Sequence, residues 1–194
     1  MLEAAQSPRI IADYINDYAD WAETRWTTSL LPGIDPSLAS ELVMAFGLGG
    51  ETAEVAEEVL NFENAGGSER VAPDNLLKEL GDSFYYFCRL TRQFGLRAST
   101  VFFSAPLRLE NDLKSQTLTM VVAAGKVQEA CKKYVRDGSL NREKLEAGLG
   151  GFAAAWRGVC ALLEVEPEFI MSQNRAKIDA RHVKGTIRGS GNDR

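Results

Sequence analysis

The chain is predicted to be an all-α helical bundle, on three observations. Apolar residues recur at helical spacing along almost its whole length. No stretch alternates apolar and polar residues as a half-buried strand does. Pro, Gly and Asp clusters interrupt the pattern at intervals that suit helices rather than hairpins. Taken in order, Pro8 opens a first helix running through YINDYADWAETRW to about residue 26, and SLLPGIDPS is a breaker-rich connection. A long helix over 36–62 starts at Pro36 and is ended by NAGGS. Pro73 at a first-turn position, with Asp74 behind it, opens a helix that stops at Gly95. A short helix is expected over 98–109. The next spans 112–136 and ends in DGS, another spans 141–163, and the last begins at Pro167 and reaches about residue 183. The tail over 184–194, KGTIRGSGNDR, is Gly-rich and basic.

Composition narrows the function classes. The 194 residues suffice for one domain with a substantial core, and 45% hydrophobic with 25% charged is ordinary for a globular protein. A net charge of −5 argues against nonspecific nucleic-acid binding, which needs a basic footprint. An acidic chain acting on a polyanion needs a metal or a local basic cluster. Cys88, Cys131 and Cys160 are scattered and odd in number, as expected of reduced core thiols in a cytoplasmic protein. The start, MLEAAQSPRI, has no apolar signal core, and no run approaches the roughly 18 apolar residues of a membrane span. His182 is the only histidine, so a metal here must be held by carboxylates.

The sequence also repeats itself. An offset of 75 aligns LASELVMAFGLGGETAEV (38–55) with LKSQTLTMVVAAGKVQEA (113–130). An offset of 69 aligns PDNLLKELGDSFYYFCRLTRQFGL (73–96) with REKLEAGLGGFAAAWRGVCALLEV (142–165). Identities are few, but breaks and apolar positions agree. The expected organisation is one domain over 1–194 made of two tandem repeats, about 36–109 and about 112–183.

The chemistry concentrates in GLGGETAEVAEEV, residues 47–59. On a helix, Leu42, Phe46, Gly49, Ala53, Ala56 and Leu60 form one apolar stripe, and Met44, Leu48, Val55 and Val59 form a second. Between them runs a strip with Gly47, Glu51, Glu54 and Glu58. In LLKELGDSFYYF, the residues Glu79, Asp82 and Tyr86 line up one turn apart beside a core-facing set. Two acidic pairs at i, i+3 on neighbouring helices can aim four carboxylates into one space. Such crowding raises pKa values unless a divalent cation neutralises it, and oxygen-only ligation selects Mg²⁺ or Mn²⁺. The bland alternative is a solvated face, with Glu57 a surface charge and Lys78 pairing with Asp82 at i+4.

The joint pattern ExxE then ExxD, with 24 residues between Glu54 and Glu79, resembles the all-α nucleoside triphosphate pyrophosphohydrolases of the MazG type. GLGGETAEVAEE and LLKELGDSFYYF are similar to that family's GE-rich helix and its ELGD-aromatic helix. QNRAKIDARHVKGTIRGSGNDR is similar to its closing N-x-x-K-x-x-x-R segment. The resemblance covers the chain from about residue 38. It implies Mg²⁺ held by Glu51, Glu54, Glu79 and Asp82, cleavage between α- and β-phosphates, and phosphate or sugar contacts from Asn174, Lys177 and Arg181. Read from the helix alone, Lys177 and Arg181 could equally serve the carbonyls of a helix C-terminus.

The second repeat is degenerate in this register. Lys126 stands opposite Glu51, Gly148 opposite Glu79 and Gly151 opposite Asp82, and only Glu129 keeps the acid of Glu54. The Asn174, Lys177 and Arg181 set has no full counterpart in the first repeat. One metal site completed across the repeats is therefore expected. Glu54 or Glu58 is expected to accept the proton of an attacking water. Lys177, Arg181, Arg188, Arg194 and Lys78 are candidates for the phosphates, and Tyr86, ahead of Trp21 and Trp26, for the base. The expected ligand is a small nucleotide, with no nucleic acid or membrane partner, and a homodimer is left open. Alternatives are a phosphoribosyl-ATP pyrophosphohydrolase-like enzyme and a non-catalytic helical nucleotide-binding regulator.

Overall fold

The computed structural model describes residues 8–26, 35–65 and 72–186. Among them are seven helices and no strand: α1 (Pro8–Arg25), α2 (Pro36–Asn64), α3 (Asp74–Gln93), α4 (Ala98–Phe102), α5 (Leu113–Asp137), α6 (Arg142–Leu162) and α7 (Pro167–Lys184). The all-α expectation holds, and the helix ends follow local chemistry. Asp35 caps α2 by accepting from the Leu38 amide at 3.0 Å, with Pro36 at the first helical position. Asp112 and Asn141 cap α5 and α6 through the amides of Ser115 and Lys144. Gly138, at φ 69°, ends α5 in the left-handed conformation that a Cβ disfavours.

One element is shorter than expected. The helix anticipated over 98–109 stops at Phe102. Pro106 lacks an amide hydrogen and pushes Ala105 out of the helical region, so the segment leaves the helix before it.

α2 packs on α3 and on α5, and α5 packs on α6. α7 lies across α3, α4 lies across α6, and α1 bridges α3, α4 and α7. The core runs through all of them. Phe84 has its ring centroid 4.8 Å from Trp156, 5.4 Å from Phe87, 5.5 Å from Tyr18 and 5.7 Å from Phe102. These aromatics from α1, α3, α4 and α6 are fully buried, and each such pair adds about 0.5–1.5 kcal/mol beyond its area. Trp156 Nε1 donates to the Leu80 carbonyl at 3.0 Å, tying the two halves through their interior.

The two stripes of α2 fare differently. Met44, Leu48, Val55 and Val59 are buried, as expected. The other stripe is not: Phe46 is 65% exposed, Leu60 is also exposed, and Leu42 and Ala56 are only half-buried. α3 and α5 cover the first stripe and part of the helix flank, leaving Phe46 and Leu60 outside. Gly49 on this stripe receives the Gln128 side chain of α5, whose Nε2 donates to the Ala45 carbonyl at 3.2 Å. Cys88, Cys131 and Cys160 are free and buried, and burial pushes the Cys131 thiol up to about 11. No single helix among the described residues is long and apolar enough to cross a membrane.

Candidate metal centre

Each carboxylate is placed by the helix that carries it. On α2, Thr52 and Val55 face the core and rotate Glu51 to the edge of the α2–α3 seam, half-buried. On α3, Leu76, Leu80 and Phe84 anchor the helix, so Glu79 is only 3% exposed and Asp82 half-buried at the same seam. The result is a group in which one oxygen each of Glu51, Glu79 and Asp82 lie within 4.8 Å of one another.

The last helix closes this group. Asn174 Nδ2 donates to Asp82 Oδ1 at 2.5 Å, and Lys177 forms an ion pair with Asp82 Oδ2. Asn174 is 2% exposed, and its Oδ1 accepts from the Tyr18 hydroxyl at 2.6 Å. A relay therefore runs from α1 through α7 to a carboxylate of α3. Gly81 makes the approach of α7 feasible, because a Cβ there would sit 2.8 Å from the Asn174 Cβ. Asp179, two residues past Lys177, accepts from Trp21 Nε1 at 3.0 Å and pairs with Arg25 at 2.7 Å, which clamps α7 to α1. Arg181 is buried one turn beyond Lys177.

The electrostatics follow from the crowding. Burial, and then the charges of Asp82, Glu54 and Glu79, push Glu51 up to about 8, while Lys177 pulls the other way. Lys177 supplies a positive charge to Asp82 at the edge of this group. Carboxylates alone make the donor set, and each oxygen keeps lone pairs beyond one hydrogen bond, so the group suits a hard, oxygen-preferring divalent cation.

Not every expected residue joins it. Glu54 is exposed and outside the three-carboxylate group, though its charge reaches Glu51. It points from the solvent side of α2, three residues and about 300° on from Glu51. Glu58 is half-buried, and neither it nor Glu54 forms an ion pair among the described residues. Lys78 does not pair with Asp82. Its Nζ reaches Asn75 Oδ1 at 3.4 Å, and Asp82 is taken by α7 instead. Tyr86 is half-buried with its ring against the Gly47 backbone, where a Cβ would meet ring atoms at 2.3 Å, and edge-on to Trp26. Trp21 is buried in the core, and the half-buried Trp26 packs against it, with its Nε1 donating to Ser40 Oγ at 3.0 Å and Arg89 over its ring. Arg188 and Arg194 lie outside the described residues. Tyr18 went unnoticed in the sequence, because a tyrosine in YINDYADWAETRW carries no local mark of a partner 156 residues away.

Compared with known proteins, the chain matches no family model, no characterised protein and no solved structure.

Proposed function

We propose that the protein is a Mg²⁺-dependent nucleoside triphosphate pyrophosphohydrolase of the MazG type, releasing a nucleoside monophosphate and pyrophosphate. The observation that carries this reading is the meeting of Glu51, Glu79 and Asp82 with Asn174 and Lys177 at one seam. These are five of the residues that the family resemblance singles out, drawn from both halves of the chain.

Glu51, Glu79 and Asp82 would hold the ion, with Glu54 at its solvent side. When bound, Mg²⁺ would supply charge neutralisation for the phosphates and lower the pKa of water. The chain's own residues do the rest. Asn174, held by Tyr18, fixes the orientation of Asp82. Lys177 pairs with Asp82 in the structure and would supply positive charge to a phosphate oxygen bound at this seam. Arg181 adds a second cation on the same face of α7. Glu54, exposed and forming no ion pair among the described residues, would accept the proton.

Support for two tandem repeats comes from packing. The second helix of each half carries the third helix of the other: α7 on α3, and α4 on α6. The glycines that permit this also correspond, since Gly81 receives Asn174 while Gly150 receives Ser104 and Ala105. Asn174 and Ala105 are themselves aligned at the 69-residue offset. A non-catalytic regulator is favoured by one fact: both Asp82 oxygens already have protein partners, as a purely structural tie would require.

A nucleotide panel separates the readings. Pyrophosphate release with Mg²⁺, abolished by EDTA and by Glu79→Gln, is the expected result. Release of single phosphate, or binding without turnover, would overturn it.

A further inference from the structure

The opposite half of the bundle carries a second concavity. A cleft of about 700 Å³ lies along α5 and α6, from the turn at Ser139 down to Gly125 and Gly148. Lys126, Lys133 and Lys144 line it. Glu129, on the same wall, is already held by Lys132 and by Lys133 at 3.1 Å, and Asp137 is paired with Arg136 at 2.6 Å. Lys126 and Lys144 form no ion pair or hydrogen bond through their ammonium groups among the described residues. The cleft lining thus carries three cations, Lys126, Lys133 and Lys144, beside two carboxylates that are already paired, within a chain of net charge −5.

Small residues line part of the cleft. A Cβ at Gly125 would meet nothing within 4 Å, while the buried Gly148 lets α6 pack closely on α5, where a Cβ would come within 3.1 Å of Val127. These positions have a meaning in the repeat register. Lys126 and Gly148 stand where the first half has Glu51 and Glu79, so the substitution that removes the acids also inverts the charge of the concavity. Concave surfaces of one sign concentrate counter-ions well beyond what scattered charges achieve.

We propose that the α5–α6 cleft binds a compact phosphate-bearing anion, with Lys126 and Lys144 as its principal contacts. Ammonium groups on flexible stems suit a phosphate whose oxygens are presented in several directions. The inference goes beyond the pyrophosphohydrolase reading and does not rest on it, because the cleft is defined by its own residues and needs no metal.

The test uses the full chain in EDTA, with inorganic pyrophosphate and a nucleoside diphosphate as separate probes. Amide shifts and calorimetry are followed. Expected are saturable binding, shifts centred on Gly125, Lys126, Lys144 and Gly148, and at least a tenfold loss of affinity in the exposed K126A/K144A variant. Glu79→Gln should bind as the wild type does. Tighter binding of the nucleotide would assign it as the ligand, and equal binding would assign the phosphate group alone. Unchanged affinity in K126A/K144A, absence of saturable binding, or shifts that move to α7 and vanish in Lys177→Ala would each overturn the proposal. None of these readouts depends on catalysis, so failure here and failure of the pyrophosphohydrolase reading are separate events.

Discussion

Lys177 on α7 forms an ion pair with Asp82 on α3, 95 residues earlier in the chain. Both side chains are mostly buried. The pair joins the last helix to the acidic group and puts a monovalent cation beside carboxylates that suit a divalent one.

Replacing this lysine should therefore have an ion-dependent effect. Lys177→Ala leaves Asp82 with one partner in a crowded acidic group, and should lower stability in EDTA by about 1–3 kcal/mol. With saturating Mg²⁺ the loss should shrink, since a bound divalent ion neutralises Asp82 in its place. Urea midpoints with and without Mg²⁺ measure this. An identical loss in both conditions would show that no cation reaches Asp82.

Glu51 makes stability depend on pH in a definite direction. Its carboxyl is pushed up to about 8 in the folded protein from an ordinary 4.5. Between those values the folded state holds a proton that the unfolded chain has released. Stability contributed at this site is thus present at low pH and falls as pH rises through the window, by at most about 1.4 kcal/mol per unit. The comparison is wild type against Glu51→Gln in EDTA, from about pH 5 to 8. A difference between the two that stays flat across the window contradicts the prediction.

Turnover, if the proposed function holds, should localise to one site. Glu79→Gln is expected to reduce pyrophosphate release by about 10²–10³-fold, the scale set by removing one transition-state charge stabiliser. Arg181→Ala should also impair it, whereas Lys126→Glu should create no second activity. Initial rates from a coupled pyrophosphate assay decide the matter, and unaffected turnover in Arg181→Ala would remove α7 from the site.

Tyr18 is expected to act as a positioning residue. Tyr18→Phe leaves the buried Asn174 Oδ1 without its donor, at a cost of about 1–3 kcal/mol. Because Asn174 orients Asp82, Mg²⁺ affinity should fall as well, and that second readout separates positioning from simple packing. Isothermal titration with Mg²⁺ checks it. Unaltered ion affinity would confine Tyr18 to the core.

Two glycines should respond with opposite signs. Gly81→Ala sets a Cβ 2.8 Å from the Asn174 Cβ and should push α7 off α3, destabilising by about 1–3 kcal/mol. Gly50→Ala meets nothing within 4 Å in mid-helix and should stabilise by about 0.5–1 kcal/mol. Thermal unfolding of both variants tests whether the α3–α7 contact is as close as described.

Much of this was legible beforehand because it is local. Asp35, Asp112, Asn141 and Gly138 act on neighbours within four residues, so the helix ends that they fix fall close to the bounds expected from the chain. The burial of Met44, Leu48, Val55 and Val59 follows from helical spacing alone. The exposure of Phe46 and Leu60 does not, because periodicity marks an apolar stripe but not whether another helix covers it. Lys78 and Asp82 illustrate the same limit. At i, i+4 they are a natural pair, yet Asp82 is claimed by Asn174 and Lys177 across more than ninety residues.

By itself, then, the order of residues determined the helical class, nearly every helix boundary and the two acidic pairs, since each depends on contacts within a turn or two. Which carboxylates meet was decided only by folding. Rotation of α2 against α3 brought Glu51 to Glu79 and Asp82 and left Glu54 at the solvent edge, and the docking of α7 into the space above Gly81 supplied Asn174 and Lys177. Those outcomes depend on the relative azimuth of packed helices, which side-chain shape and burial set across the whole core rather than along any one segment.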